Sequence, residues 1–229
     1  MHFRTSTPPW WYHYAKDNTS KVRSNPNHPP GPYHAGQHVV PPARAPSPAT
    51  ASYRLNHLML RIKNPEESCR FYNDCFGLHV VFIFNAGPWT IYYLGPRDVS
   101  ISTIGTSKGL LELYHIPGDA SLSYTSGNDY ASPGVGFGHI GFTVPDVAAV
   151  IERVKGFGYE VIKPLGEASE DAMGVPVDAA GKVKGDGSGG VVQVDEGYKH
   201  VFRQLAFVRD PDGYWVELVP QVVKAPGHD

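Results

Sequence analysis

Two histidines and two glutamates carry the chemistry open to this sequence. His139 follows Gly136-Phe137-Gly138 and begins the run HIGFTVPD, and His57 begins HLMLRIKNPEE. Glu112 lies in LLELYH and Glu217 in YWVEL, each amid apolar neighbours. A carboxylate on a half-buried strand is costly unless it is paired or coordinated. Two imidazoles and two carboxylates suit a divalent ion with open positions, and Zn²⁺, Ni²⁺, Fe²⁺ and Co²⁺ are all compatible with them. Taken singly, each residue has a plainer reading. His139 would be a core histidine on a strand, and each glutamate would be salt-bridged, held in an N–H-rich pocket or turned to solvent.

The elements that must position these four residues occur twice. Arg54–Lys63 alternates as a strand. Asn64 is an N-cap candidate with Pro65 at the first helical position, Glu66 and Glu67 complement the dipole, and Gly77 stops the helix. Four strand candidates follow: Leu78–Phe84, Thr90–Leu94, Val99–Ile104 and Leu110–His115. The second half repeats the order. His139–Val144 is a strand, and Asp146–Lys155 is a helix with Val147, Val150, Ile151 and Val154 on one face. Tyr159–Lys163, Gln204–Arg209 and Tyr214–Pro220 are strands, the last two joined by the turn Asp210-Pro211-Asp212-Gly213. His57 precedes its helix-closing glycine by 20 residues and His139 precedes Gly158 by 19. The His-to-Glu separations are 55 and 78 residues, and an insertion at 166–197 accounts for the excess. One βαβββ unit has been duplicated, which makes the two histidines and two glutamates equivalent pairs.

The expected organisation is a Pro-rich arm over 1–52 and a domain over 53–221 with modules 53–117 and 135–221, followed by a tail at 222–229. The arm holds ten of the 21 prolines and a basic excess, so it reads as extended or disordered, with His28, His34 and His38 solvated. Hydrophobic content of 41% provides a core, and a net charge of −2 lacks the basic stripe of a nucleic-acid binder. No apolar run reaches a membrane span. Cys69 and Cys75 fall on different faces of one helix, which fits free thiols in a reducing compartment. Cytoplasmic location is expected. The acid-poor arm raises a mitochondrial alternative, against which Trp10, Trp11 and the prolines argue.

On HLMLRIKNPEESCRFYNDCFGL, LLELYH, GFGHIGFTVPD and DPDGYWVEL, residues 53–221 resemble glyoxalase I (lactoylglutathione lyase) of the vicinal oxygen chelate superfamily. The resemblance implies an α+β fold of two βαβββ modules forming an open half-barrel around a metal. His57, Glu112, His139 and Glu217 match the family's ligands, with Zn or Ni as the ion. It implies isomerisation of the methylglyoxal–glutathione hemithioacetal to S-lactoylglutathione, with Glu217 as leading base and Glu112 as its symmetric counterpart. It also implies homodimers, with modules paired within or between chains, and Arg61 holding a glutathione carboxylate.

Three positions depart from the family. Ile116 stands where Asn is usual, Val135 where a cation is frequent, and Phe202-Arg203 replaces a Lys-Met pair. Lys199 and Arg203 are candidates to restore the missing charge. An alternative keeps the scaffold but takes a more apolar, non-glutathione substrate. A ligand-sequestering protein and a metal-free structural duplication complete the alternatives.

Overall fold

The computed structural model describes residues 31–43, 45–118, 121, 123–124, 136–169, 171–173 and 194–224. The arm's first thirty residues, Val135 and most of the 166–197 insertion therefore lie outside the described residues. The chain divides into two compact units, Met1–Ala51 and Ser52–Asp229. In the first unit the described residues form turns with no helix or strand, and His34 and Gln37 bond each other through backbone and side chain.

The second unit contains both modules. In module 1, β1 (His57–Ile62), α1 (Pro65–Phe76), β2 (His79–Asn85), β3 (Thr90–Gly95) and β4 (Leu110–His115) form a sheet of order β1-β4-β3-β2. In module 2, β5 (His139–Val144), α2 (Val147–Gly156), β6 (Val161–Lys163), α3 (Glu196–Phe202), β7 (Ala206–Arg209) and β8 (Trp215–Pro220) form one of order β5-β8-β7-β6. The orders superpose, and in each module the histidine strand pairs parallel with the glutamate strand. The sheets remain separate and open, the α+β architecture expected of the repeat.

The caps are local chemistry. The Asn64 side chain accepts from the N–H groups of Glu66 and Glu67, and Gly77 closes α1 in the left-handed region at φ 72°. Asp146 caps α2 by accepting from Ala149 N–H. Both helices then bury one face in a single core. Phe71, Tyr72 and Cys75 of α1 pack with Val147, Val150, Ile151 and Val154 of α2 and with Leu60, Ile62, Val216 and Leu218 of the strands. Rings cross between modules: Phe76 stacks on Phe142 at 4.4 Å, and Phe71 meets Tyr159 edge-on at 4.8 Å. Each such side chain fully buried contributes about 1.5–3 kcal/mol. Cys69 and Cys75 are free, their thiols pushed up to about 11, mainly by burial.

Two elements differ from the sequence reading. Residues 99–104 form turns leading into a short 3₁₀ segment, Ile104–Thr106, instead of a strand. The Thr103 hydroxyl bonds the Ser100 hydroxyl, N–H and carbonyl, which draws the chain into local turns. Conversely, α3 forms at the end of a stretch that carries no helical periodicity. It is fastened by Lys163, fully buried, whose Nζ donates to the Phe202 carbonyl at 2.6 Å and to the Leu205 carbonyl at 2.5 Å. Burial lowers the Lys163 amine to about 8, against the opposing charges of Glu167 and Glu217.

The modules are also joined by polar groups. Asp210 and Asp212 of the β7–β8 turn, both buried, reach the β1–α1 corner of module 1. The Tyr72 hydroxyl donates to Asp210 Oδ2 at 2.8 Å, Ser68 Oγ to Asp212 Oδ2 at 2.6 Å, and Lys63 N–H to Asp212 Oδ1 at 2.6 Å. Burial pushes Asp210 up to about 7, against the bonds donated to it.

Candidate active site

The four candidate ligands are gathered two and two. His57 Nε2 lies 3.4 Å from Glu112 Oε2, and His139 Nε2 lies 3.5 Å from Glu217 Oε2. Among the described residues no group of three or more His, Cys, Asp or Glu could hold an ion. Both pairs lie on the sheet faces turned away from the shared core. In β1, Leu60 and Ile62 point into the core while His57, Met59 and Arg61 are exposed on the other face.

Each pair has the same aromatic neighbour. Tyr93, which pairs with Glu112 across the sheet, meets the His57 ring edge-on at 5.3 Å. Phe207, which pairs with Glu217, meets His139 edge-on at 5.2 Å. The module 1 histidine is further oriented by Asn56, which the sequence reading did not single out. Asn56 Nδ2 donates to the carbonyls of Ile104 and Ser107 at 2.8 and 2.9 Å, so Oδ1 is the atom left facing His57 Nδ1 at 2.9 Å. An acceptor there pairs with the tautomer that carries its proton on Nδ1 and its lone pair on Nε2, the nitrogen beside Glu112. The Tyr93 hydroxyl donates to the same Oδ1 at 3.2 Å. Burial, with the Glu112 charge adding to it, pushes that phenol up to about 12, which keeps it a donor. Asn56 has a glycine, Gly138, at its repeat-equivalent position, so the repeat gave no signal for it.

The outer faces differ in what surrounds the pairs. Module 1 presents stacked rings, Phe82 on Tyr93 at 5.0 Å and Trp89 on Tyr114 at 6.1 Å, with Arg61 in register with Tyr114. Module 2 carries a buried cluster in which Phe202 of α3 packs on Phe207 and Trp215. Tyr198 of α3 has its phenol raised by burial and by the Glu217 charge, which marks it as another neighbour of Glu217. Lys199 and Arg203 stand at the same helix, both turned to Glu196, at 2.7 and 3.9 Å. Ile116 is half-buried just beyond β4. A cavity of about 710 Å³ runs between the β1 and β5 edges. It is lined by Leu58, Phe76, Ile140 and Phe142, with His57 and His139 both bordering it.

Residues 54–181 match the profile of the Glyoxalase/Bleomycin resistance protein/Dioxygenase superfamily. The chain is 33% identical to the lactoylglutathione lyase of Pseudomonas aeruginosa over 188 residues, covering 76% of this chain and 86% of that one. The chain belongs to this superfamily. The lactoylglutathione lyase of Pseudomonas putida is 32% identical over 186 residues, with 75% and 87% covered. Among solved structures, the glyoxalase I of Leishmania major matches at 23% identity and a TM-score of 0.46, covering 74% of this chain and 88% of that one. No described helix is long and apolar enough to cross a membrane.

Proposed function

We propose that the chain is a metal-dependent lactoylglutathione lyase that works as a homodimer. The observation that carries the reading is the duplicated His–Glu pair, 3.4 and 3.5 Å across, with an aromatic ring edge-on to each imidazole. The relatives of that name in the two Pseudomonas species match over most of their lengths. His57 and Glu112 of one copy, facing His139 and Glu217 of another, make a complete set of two neutral imidazoles and two carboxylates. The exposed Leu58 edge and the apolar cavity between β1 and β5 favour coverage by a second copy.

The donor set fits a divalent cation: its two carboxylate charges balance the ion, and the Asn56 contact turns His57 Nε2 toward Glu112. His57, Glu112, His139 and Glu217 would hold the ion, Zn²⁺ or Ni²⁺, which would supply Lewis acidity to the substrate. Glu217 takes the proton from C1, and the C–H electrons enter a C1–C2 double bond, forming an enediolate. Glu217 then returns the proton to C2, and the C1 hydroxyl proton passes to the C2 oxygen, which leaves a thioester carbonyl at C1 and a hydroxyl at C2. Glu112 occupies the symmetric position and serves the other epimer. Arg61 holds a glutathione carboxylate. Arg203 and Lys199, engaged by Glu196, form a second cationic group beside α3. The test is isomerase activity with methylglyoxal and glutathione on metal-replete protein, together with its mass by light scattering. A dimer with activity is expected, and no rate above background with metal bound would overturn the reading.

One observation favours a second substrate class. The ring-lined outer face of module 1, bordered by Ile116, suits a more apolar substrate that carries no glutathione. Calorimetry with glutathione separates the two readings, because micromolar affinity excludes the second.

A further inference from the structure

β1 is an edge strand. One side pairs with β4, and the backbone N–H groups of Arg61 and Lys63 point from the other side. A bare edge at this position would leave the strand that carries Arg61 held along one side only. Module 2 supplies the missing partners from a single turn. Lys63 N–H donates to Asp212 Oδ1 at 2.6 Å, and the Arg61 backbone N–H faces the Tyr214 hydroxyl. Both acceptors are themselves fixed. Asp212 also accepts from Ser68 Oγ at 2.6 Å, and Asp210 beside it accepts from Tyr72 and from the N–H groups of Asp212 and Tyr214. The Tyr214 ring stacks on Tyr124 at 6.2 Å and takes Phe137 edge-on. The turn itself cannot drift. Gly213 sits at φ 103°, and a Cβ on it would come 3.0 Å from the Tyr124 carbonyl.

We propose that Tyr214 and Asp212 are positioning residues for Arg61: by occupying the outer N–H groups of β1 from module 2, they hold the edge strand at the place where its guanidinium meets the substrate. The inference rests on the reading that Arg61 binds the carboxylate of a glutathione adduct. The other end of β1 is fastened separately, through Asn56 to the Ile104 and Ser107 carbonyls. The two fastenings therefore serve different residues, Asn56 serving His57 and the turn serving Arg61. Loosening the turn disturbs binding of a remote substrate group and leaves the ligand pair at the other end in place, which is a change in KM without one in kcat.

The test uses the full-length metal-replete enzyme and four variants. Y214F keeps the ring and removes the acceptor, and its KM for the hemithioacetal is expected to rise about fivefold with kcat and metal content within twofold. D212A is expected to raise KM about tenfold. D212N rescues it, because the amide oxygen still accepts from Lys63 N–H and Ser68 Oγ can accept from the new NH₂. R61A is the control. If R61A leaves KM unchanged, the assignment of Arg61 falls and the proposal falls with it. If R61A raises KM while Y214F and D212A do not, only the proposal is overturned. Equal losses of kcat and metal in Y214F, D212A and D212N would reduce the turn to a structural role and also overturn it. Should D212A fail to fold, Y214F and D212N carry the same comparison.

Discussion

Module 1 and module 2 present the same His–Glu pair on the same strands, yet they surround it differently. In module 1 the imidazole of the pair is oriented by Asn56, with ring stacks and Arg61 alongside. In module 2 the face beside the pair is roofed by α3, and the base candidate Glu217 has Tyr198 and Lys163 among its electrostatic neighbours. Duplication supplied two equivalent His–Glu pairs. Under the proposed function the two modules would divide the work: module 1 would hold substrate through Arg61, and module 2 would carry Glu217, the proton-transferring carboxylate.

The largest test of that division compares the two glutamates. Glu217→Gln removes the base and is expected to lower kcat by about a thousandfold, within the range for general-base removal. Glu112→Gln removes only a ligand and the counterpart for the other epimer, so its kcat should fall about tenfold or less. Steady-state rates at matched metal occupancy measure both. Equal losses would break the division and restore functional symmetry.

Asn56 is the sharpest local asymmetry, because Gly138 occupies the matching place in module 2. Replacing it by alanine removes the acceptor that fixes the His57 tautomer and frees the turn at Ile104 and Ser107. Metal affinity is expected to drop by about 10–100-fold, as when an outer-shell partner is lost from a metal-bound histidine. Titration with a competing chelator measures it. Unchanged affinity would mean that strand geometry alone orients His57.

These contrasts also show what the linear sequence can carry. The α1 ends were readable because Asn64 and Gly77 act on bonds within their own turn. The His–Glu equivalences were readable because duplication repeats spacing. The Val99–Ile104 strand was misread because apolar alternation there is overruled by the Thr103 hydroxyl, which satisfies the Ser100 backbone locally. The α3 helix was missed because its stability is tertiary: seven residues held by a buried lysine from β6. The grouping of ligands two and two was invisible for a different reason. It depends on which faces of the modules share a core, and residues such as Phe76 and Phe142 decide that only once they meet.

The smallest expected effect lies at the residue beside each glutamate. Met59 pairs with Glu112 in module 1, and Gly141 pairs with Glu217 in module 2. A Cβ at Gly141 would stand 3.4 Å from Glu217 Oε2, the one neighbour close to it. That distance puts a methyl in van der Waals contact with the carboxylate, whereas a methionine at the same place would compete with it for space. Gly141→Ala is therefore expected to lower kcat about twofold to threefold with KM unchanged, since small misplacements of a base cost rate before they cost binding. Met59→Gly in the other module should leave kcat untouched if, as proposed, Glu217 is the base for the main epimer. Parallel kinetics on the two variants decide the matter. If both are neutral, the glycine is not there to make room for the base, and the asymmetry between the glutamates must come from α3 and its tyrosine.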